Sequence, residues 1–231
     1  MIKKLSILLL LLGLGTIFAT LLSGYIADTE LNKTARYYAE YTADDLGATN
    51  IITAIIVTYR GLDTLGEVTV LFLTAAIIGM VLSRGKRGSR GANAIVSGEL
   101  LVTGSRLLVP LILLLGAYVF INGHLTPGGG FQGGAIVASA SLLLLLTDPL
   151  HHFGHRLISV VESISGLLFI IIGILGLLLA GGFLDNRILP IGEMGSIFSA
   201  GAIPIIYTLV GFKVGAEFTS ILVNLAETEN S

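Results

Sequence analysis

Gly123–Ala135 reads GHLTPGGGFQGGA, with six glycines and one proline. It separates two apolar runs, Leu100–Phe120 and Gly134–Leu146. The first suits a bilayer and the second is short unless the upstream glycines extend it, so the chain is predicted to bend sharply here and to enter the membrane on either side. Pro127, Gly128, Gly129 and Gly130 favour such a bend. Proline lacks a donor and cannot extend a helix backwards, and glycine reaches backbone angles that a Cβ forbids.

The rest of the chain agrees with a membrane setting. Of 231 residues, 54% are hydrophobic and 12% charged, and the mean hydropathy is +0.92. Soluble domains carry about 25% charge. Half of that, gathered between apolar runs, predicts an all-α polytopic helix bundle in the lipid bilayer. A net charge of −2 offers nothing that would attract nucleic acid. Cysteine is absent, which excludes disulfides, thiol catalysis and Cys-ligated zinc or iron–sulfur centres in this chain.

Six spans are predicted: Leu5–Leu22, Leu65–Leu82, Leu100–Phe120, Gly134–Leu146, Ile158–Leu179, and about Ile203–Leu225, the last with Gly195 as an alternative start. The first follows Lys3 and Lys4 and resembles a signal peptide, but no clean small-x-small site follows it, so a retained helix is expected. Lys and Arg mark the cytoplasmic ends of spans. Lys3 and Lys4, then Arg84, Lys86, Arg87 and Arg90, then Arg156 fall on one side if six spans alternate. Asp28, Glu30, Glu40, Asp44 and Asp45 fall on the other, with Lys33 and Arg36. Both termini are therefore expected in the cytoplasm.

SRGKRGSRGANA (Ser83–Ala94) reads as a basic, glycine-rich linker. It divides a two-span front unit, 1–83, from a four-span back unit, 96–231, with the linker at 84–95. No internal repeat aligns. Ala48–Arg60 is apolar but too short to cross, and Thr49 and Asn50 are good N-caps. It is expected as a short re-entrant or interfacial helix, or one packed against partner helices.

GGGFQG (Gly128–Gly133) matches G-x-G-x-x-G, but the dinucleotide motif needs a preceding strand and a βαβ unit. Between membrane spans, Gly133, Gly134 and their neighbours are read instead as a steric hinge that lets helices approach closely. His151, His152 and His155 with Asp148 could bind a metal only in convergent geometry; an interfacial loop is the expected reading, with no metal and no cofactor. His124 lies at the opposite edge, where it could relay protons or hold a loop.

Arg60, Asp63 and Glu67 form a charged entry to the second span. Asp63 or Thr64 could cap that helix, and Thr64-x-x-Glu67 spells a capping box. Glu67 could equally be a carboxylate at membrane depth that exchanges protons or cations. Glu162 stands inside the fifth span and Arg106 inside the third. Lys213 and Glu217 are four apart in the sixth, on one helical face, and so can neutralise each other. Such a pair is either structural or a step in a polar path.

The back unit resembles the B subunit of Mrp-type sodium/proton antiporters, the MnhB domain. The resemblance rests on Arg106-Leu-Leu-Val-Pro110, Gly123-His124, Pro127-Gly-Gly-Gly-Phe131, Gly133-Gly134 and Gly211-Phe-Lys-Val-Gly215, in that order. The front unit resembles the carboxyl-terminal tail of the large A subunit, through Thr49-Asn50 and Tyr59-Arg-Gly-Leu-Asp-Thr-Leu-Gly-Glu67. Similar pieces occur as the small E and F subunits of membrane-bound hydrogenases and related respiratory complexes. Here the two pieces share one chain.

The resemblance implies a non-redox membrane subunit without catalytic residues, contributing to Na+ and/or H+ movement inside a larger assembly. The implied partners are large antiporter-like subunits, small membrane subunits and, in the respiratory variant, a hydrogenase-like peripheral module. The alternative is a purely structural subunit of a hydrogenase-like or sulfur-reducing complex. A free-standing transporter fits less well, because six spans without an inverted repeat offer no evident midplane site.

Overall fold

The computed structural model describes residues 2–25, 30–85, 98–148 and 153–229. Their regular structure is helical. It comprises α1 (Ile2–Ser23), α2 (Lys33–Leu46), α3 (Ile51–Ala54), α4 (Gly61–Gly85), α5 (Glu99–Ile121), α6 (Gly130–Thr147), α7 (His155–Leu179) and α8 (Ile203–Glu229). A π-helical turn, Ile55–Tyr59, joins α3 to α4, and a 3-10 turn, Asn186–Ile188, lies between α7 and α8. Six of the helices, α1 and α4 to α8, are long and apolar enough to cross a membrane. Lys86, Arg87, Arg90, Asp28, His151 and His152 lie outside the described residues, as does most of the 84–95 linker.

Contacts divide the chain into 1–37 and 38–231, a boundary that falls within α2. In the first unit α1 is apolar on every side. The hydroxyls of Thr16, Thr20 and Ser23 donate to carbonyls three or four residues back, so these groups do not face hydrocarbon unpaired. The polar helix α2, KTARYYAEYTADDL, is absent from the sequence reading. Asn32 starts it by accepting from the Ala35 amide.

The second unit is built around α8. More than half of α8, 56% of its apolar window, is buried, against 11–33% for α4, α5, α6 and α7. It packs against all four. Glycine sets how closely. Gly134 on α6 sits against Gly211 and Gly215 of α8, and Gly130, one turn earlier on α6, sits against Val210 and the Tyr207 oxygen. A Cβ on Gly134 would lie 2.7 Å from the Val214 Cβ, 2.8 Å from the Gly211 oxygen and 2.9 Å from the Gly215 nitrogen. On the other side, a Cβ on Gly133 would meet the Gly116 oxygen of α5 at 2.8 Å. The hinge itself requires glycine at Gly128 and Gly129, whose φ angles are +139° and +153°.

Three sequence expectations change in detail. The fourth span begins at Gly130 rather than Gly134 and so reaches 18 residues, because the hinge glycines join the helix. The sixth span begins at Ile203, not Gly195. Residues 180–202 instead form a packed cap, with left-handed backbone at Leu184 and Ala200 and with Leu184, Asn186, Ser199, Ala200 and Ala202 fully buried. Lastly, the Thr64-x-x-Glu67 capping box does not form. The helix starts earlier, at Gly61, and the Thr64 hydroxyl donates to the Ile56 oxygen at 2.9 Å, tying α4 to the π-helical turn.

Candidate functional site: a buried charge pair on the central helix

The α4–α7–α8 seam holds the most unusual chemistry in the bundle. Lys213 and Glu217 lie in the middle of the 27-residue α8. Their i,i+4 spacing places them one above the other, and Lys213 Nζ approaches Glu217 Oε1 at 2.8 Å. The Glu217 side chain is 0% exposed and that of Lys213 10%. The contact is ionic, since neither Glu217 oxygen has a well-aligned hydrogen-bond donor among the described residues. Lys213 Nζ also lies 4.9 Å from the centre of the Phe72 ring on α4, a cation–π contact. Its stem borders a cavity of about 180 Å³ lined by Leu65, Val68, Thr69, Phe72, Gly166 and Phe169. Gly166 leaves room for the ammonium: a Cβ there would lie 3.5 Å from Nζ.

Glu162, on α7, is half-buried and within electrostatic reach of Glu217. Sequence reasoning gathered Lys213 with Glu217 through helical spacing; the approach of Glu162 depends on how α7 packs on α8 and left no sequence signal. Glu67 is exposed on α4, within electrostatic reach of Tyr207 on α8. Arg60 pairs with Asp63 three residues on, and both are exposed, so this pair belongs to the helix entry and contributes little. Arg106 is exposed on α5, apart from the seam. His155 meets Glu227, joining the start of α7 to the end of α8.

At the opposite end of the seam the short helix is locked to the hinge. The Asn50 side chain caps α3 by accepting from the Thr53 amide, and its Nδ2 donates to the Gly123 and Thr126 oxygens at 3.0 and 2.9 Å. The Thr53 hydroxyl donates to the Gly123 oxygen at 2.7 Å, and the Tyr207 side chain hydrogen-bonds Thr53. So 48–60 packs inside its own chain, and the two stretches quoted from opposite halves of the sequence meet here.

His124 is fully buried in this lock, not merely at an edge. Its Nε2 lies 3.2 Å from the Ser196 oxygen, and a carbonyl only accepts, so Nε2 carries the hydrogen. Burial pushes the imidazole below its ordinary range, against the pull of the Ser196, Ile121 and Ile197 carbonyls. Nearby in the cap, burial pushes the Asp185 carboxyl up, but its hydrogen bonds and ion pair with Arg187 outweigh this and hold it below the usual range. A depressed value means that the opened chain takes up protons first as pH falls. Both groups therefore contribute stability at neutral pH that is lost on acidification, His124 from its ordinary range downward and Asp185 further into acid. Thermal unfolding of the purified protein should show its midpoint falling between neutral and mildly acidic pH. His124→Asn should flatten the first part of that fall; a midpoint that rises toward acid contradicts this assignment.

The fold has counterparts in known proteins. The family of the MBH E subunit matches residues 2–96. A chain of the membrane-bound sulfane sulfur reductase, an archaeal respiratory membrane complex, superposes with a TM-score of 0.81 at 39% identity, covering 97% of this chain and 98% of that one. A chain of the Mrp complex from Dietzia sp. shares the fold, with a TM-score of 0.78 at 22% identity, covering 99% of this chain and 26% of that one. An uncharacterized protein of Methanocaldococcus jannaschii is 29% identical over 192 residues, 71% of this chain and 72% of its own length. The B subunit of the Na+/H+ antiporter of Bacillus subtilis is 41% identical over 81 residues, 35% of this chain and 51% of its own length. This is a multi-pass membrane protein whose relatives include an antiporter subunit and a chain of a respiratory membrane complex. Residues 100–220 match the family described as a domain related to the MnhB subunit of Na+/H+ antiporters, and the chain belongs to that family.

Proposed function

We propose that this chain is a non-redox membrane subunit of an Mrp-type cation/proton antiporter module, contributing to Na+ and/or H+ translocation and to assembly. The observation that carries the reading is the ion pair of Lys213 and Glu217, buried at mid-depth of the central helix. Charges within a bilayer are costly and are usually kept for function. Glu162, Glu67 and His124 are further candidates on the path; Arg60 and Asp63 are less central because they pair with each other at the helix entry, and Arg106 because it lies on α5, apart from the seam. The chain itself carries no catalytic residues in this reading. In this reading its two parts, 1–83 and 96–231, resemble the tail of an A subunit and a B subunit joined by the 84–95 linker; the match to the MnhB-related family starts after the linker, at 100, while that to the MBH E subunit runs across it, from 2 to 96.

The likeness to the sulfane sulfur reductase chain, spanning nearly the whole of both chains, favours a second reading in which the module is driven by a redox partner. Purification of the tagged chain from native membranes separates the two. Large antiporter-like subunits should copurify in either case, and a peripheral redox module only in the second. A chain that purifies alone contradicts both.

Orientation follows from the basic residues, with the Arg156 edge and both termini in the cytoplasm. Arg156→Cys should react with a membrane-impermeant thiol reagent only from inside, and Met194→Cys only from outside. The reverse pattern overturns the assignment.

A further inference from the structure

Three ionisable groups share the inner part of the seam, and their charges do not sum to zero. Lys213 contributes +1, while Glu217 and Glu162 contribute −1 each when ionised. Glu217 is fully buried, and neither of its oxygens has an aligned donor among the described residues, Oε1 being the one that Lys213 Nζ faces at 2.8 Å. The other elements around the pair bring no compensating charge among the described residues. From α4 come Phe72 and Thr69, and the Thr69 hydroxyl is already donated to the Leu65 oxygen. From α6 comes Ser141, paired with Thr219 of α8. The Arg106 side chain of α5 is exposed. One carboxylate charge thus remains uncompensated in a bundle interior, where an unpaired ion is strongly disfavoured.

We propose that Lys213, Glu217 and Glu162 form a site for one exchangeable proton, held on the unpartnered face of Glu217 and delivered through Glu162. This deepens the translocation reading and rests on it for its role. A bare metal cation would need several oxygens to replace its water. The side chains that line the space around Lys213 are mainly Leu65, Val68, Phe72 and Phe169, so the proton is the occupant that fits. The side of access follows from position. Glu162 is seven residues into α7, about 10 Å from its start at 1.5 Å per residue. That start lies at the same edge as the end of α8, as the His155–Glu227 contact shows. In the other direction the seam is closed by buried Val210, Ile206 and Ile203, and beyond them by the 180–202 cap. The site therefore exchanges with the Arg156 edge and not with the far side.

Infrared spectroscopy of the intact purified complex, titrated around neutral pH in H2O and D2O, tests the site directly. The expected result is one protonated-carboxyl band per chain, shifted by D2O and lost in both Glu217→Gln and Glu162→Gln. Either change leaves one carboxylate and one ammonium, which need no proton. Absence of the band in the unaltered complex, or its survival in either variant, overturns the proposal. Displacement of the band by sodium at fixed pH reassigns the site to a metal cation and also overturns it. If Glu217→Gln does not assemble, Glu162→Gln, at a half-exposed position, still decides. Flux measured on the same variants separates the two levels. A missing band in a complex whose flux depends on Glu217 sinks the proton site and leaves the translocation reading. A band lost as expected with flux unchanged upholds the site and sinks that reading.

Discussion

Lys213→Leu alone, or Glu217→Leu alone, should remove most of the chain from the assembled complex. Taking Lys213 away leaves two carboxylates with no cation, and taking Glu217 away leaves the buried ammonium only the half-buried Glu162 on the neighbouring helix in place of a direct partner; breaking a buried pair in this way costs about 3–5 kcal/mol. Insertion scales give a comparable figure, about 2.5–3.5 kcal/mol for a charge at the centre of a membrane helix. Glu217 is the harsher residue to strand, because it is 0% exposed and has no aligned donor, whereas a stranded Lys213 keeps its contact with Phe72. The double change to leucine should recover much of the loss, since the desolvation of both ions disappears with them. Quantitative copurification with the partner subunits measures this. Single variants that assemble as well as the unaltered chain would show that the pair is not buried in the working complex.

Gly134→Leu should be equally disruptive, for a different reason. The Cβ alone meets the Gly211 oxygen at 2.8 Å and the Gly215 nitrogen at 2.9 Å. Those are backbone atoms of the central helix and cannot swing aside as a side chain would. Overpacking a core that can relax costs about 1–3 kcal/mol. Here relaxation means separating α6 from α8, which carries the site, so loss of the folded chain is expected. Gly66→Ala and Gly104→Ala are the controls. Both lie in helices with nothing within 4 Å of the added Cβ, and each should be neutral or stabilising by up to about 1 kcal/mol. Thermal unfolding in detergent ranks the three; a stable Gly134→Leu would mean that α6 and α8 are not in close contact.

What could be read from the sequence was what depends on short spacing. The six spans were legible because each is a long apolar run, and only the ends moved. The Lys213–Glu217 pair was legible because four residues make one helical step. The hinge was legible as glycine and proline between spans, although not the seating of Gly134 against Gly211 and Gly215, whose spacing of four was there to be seen. The cap at 180–202 was not legible, because its shape is held from far away. Asn186 Nδ2 donates to the Leu46 oxygen, 140 positions back, and to the Ala200 oxygen. Helix α2 was missed because its charged residues hide it from a reading tuned to hydropathy; the cap at Asn32 was the available sign. The burial of His124 and the approach of Glu162 to Glu217 arise from packing between distant segments, which no local pattern encodes.

The central claim is that the buried pair of α8 serves ion movement rather than packing alone. Vesicles reconstituted with the whole complex, containing Lys213→Leu together with Glu217→Leu, test it most directly through sodium-dependent dissipation of an imposed pH gradient. The double variant should assemble with normal subunit content and fail to dissipate the gradient. Dissipation at the unaltered rate from a fully assembled double variant would contradict the account and leave the pair a purely structural role.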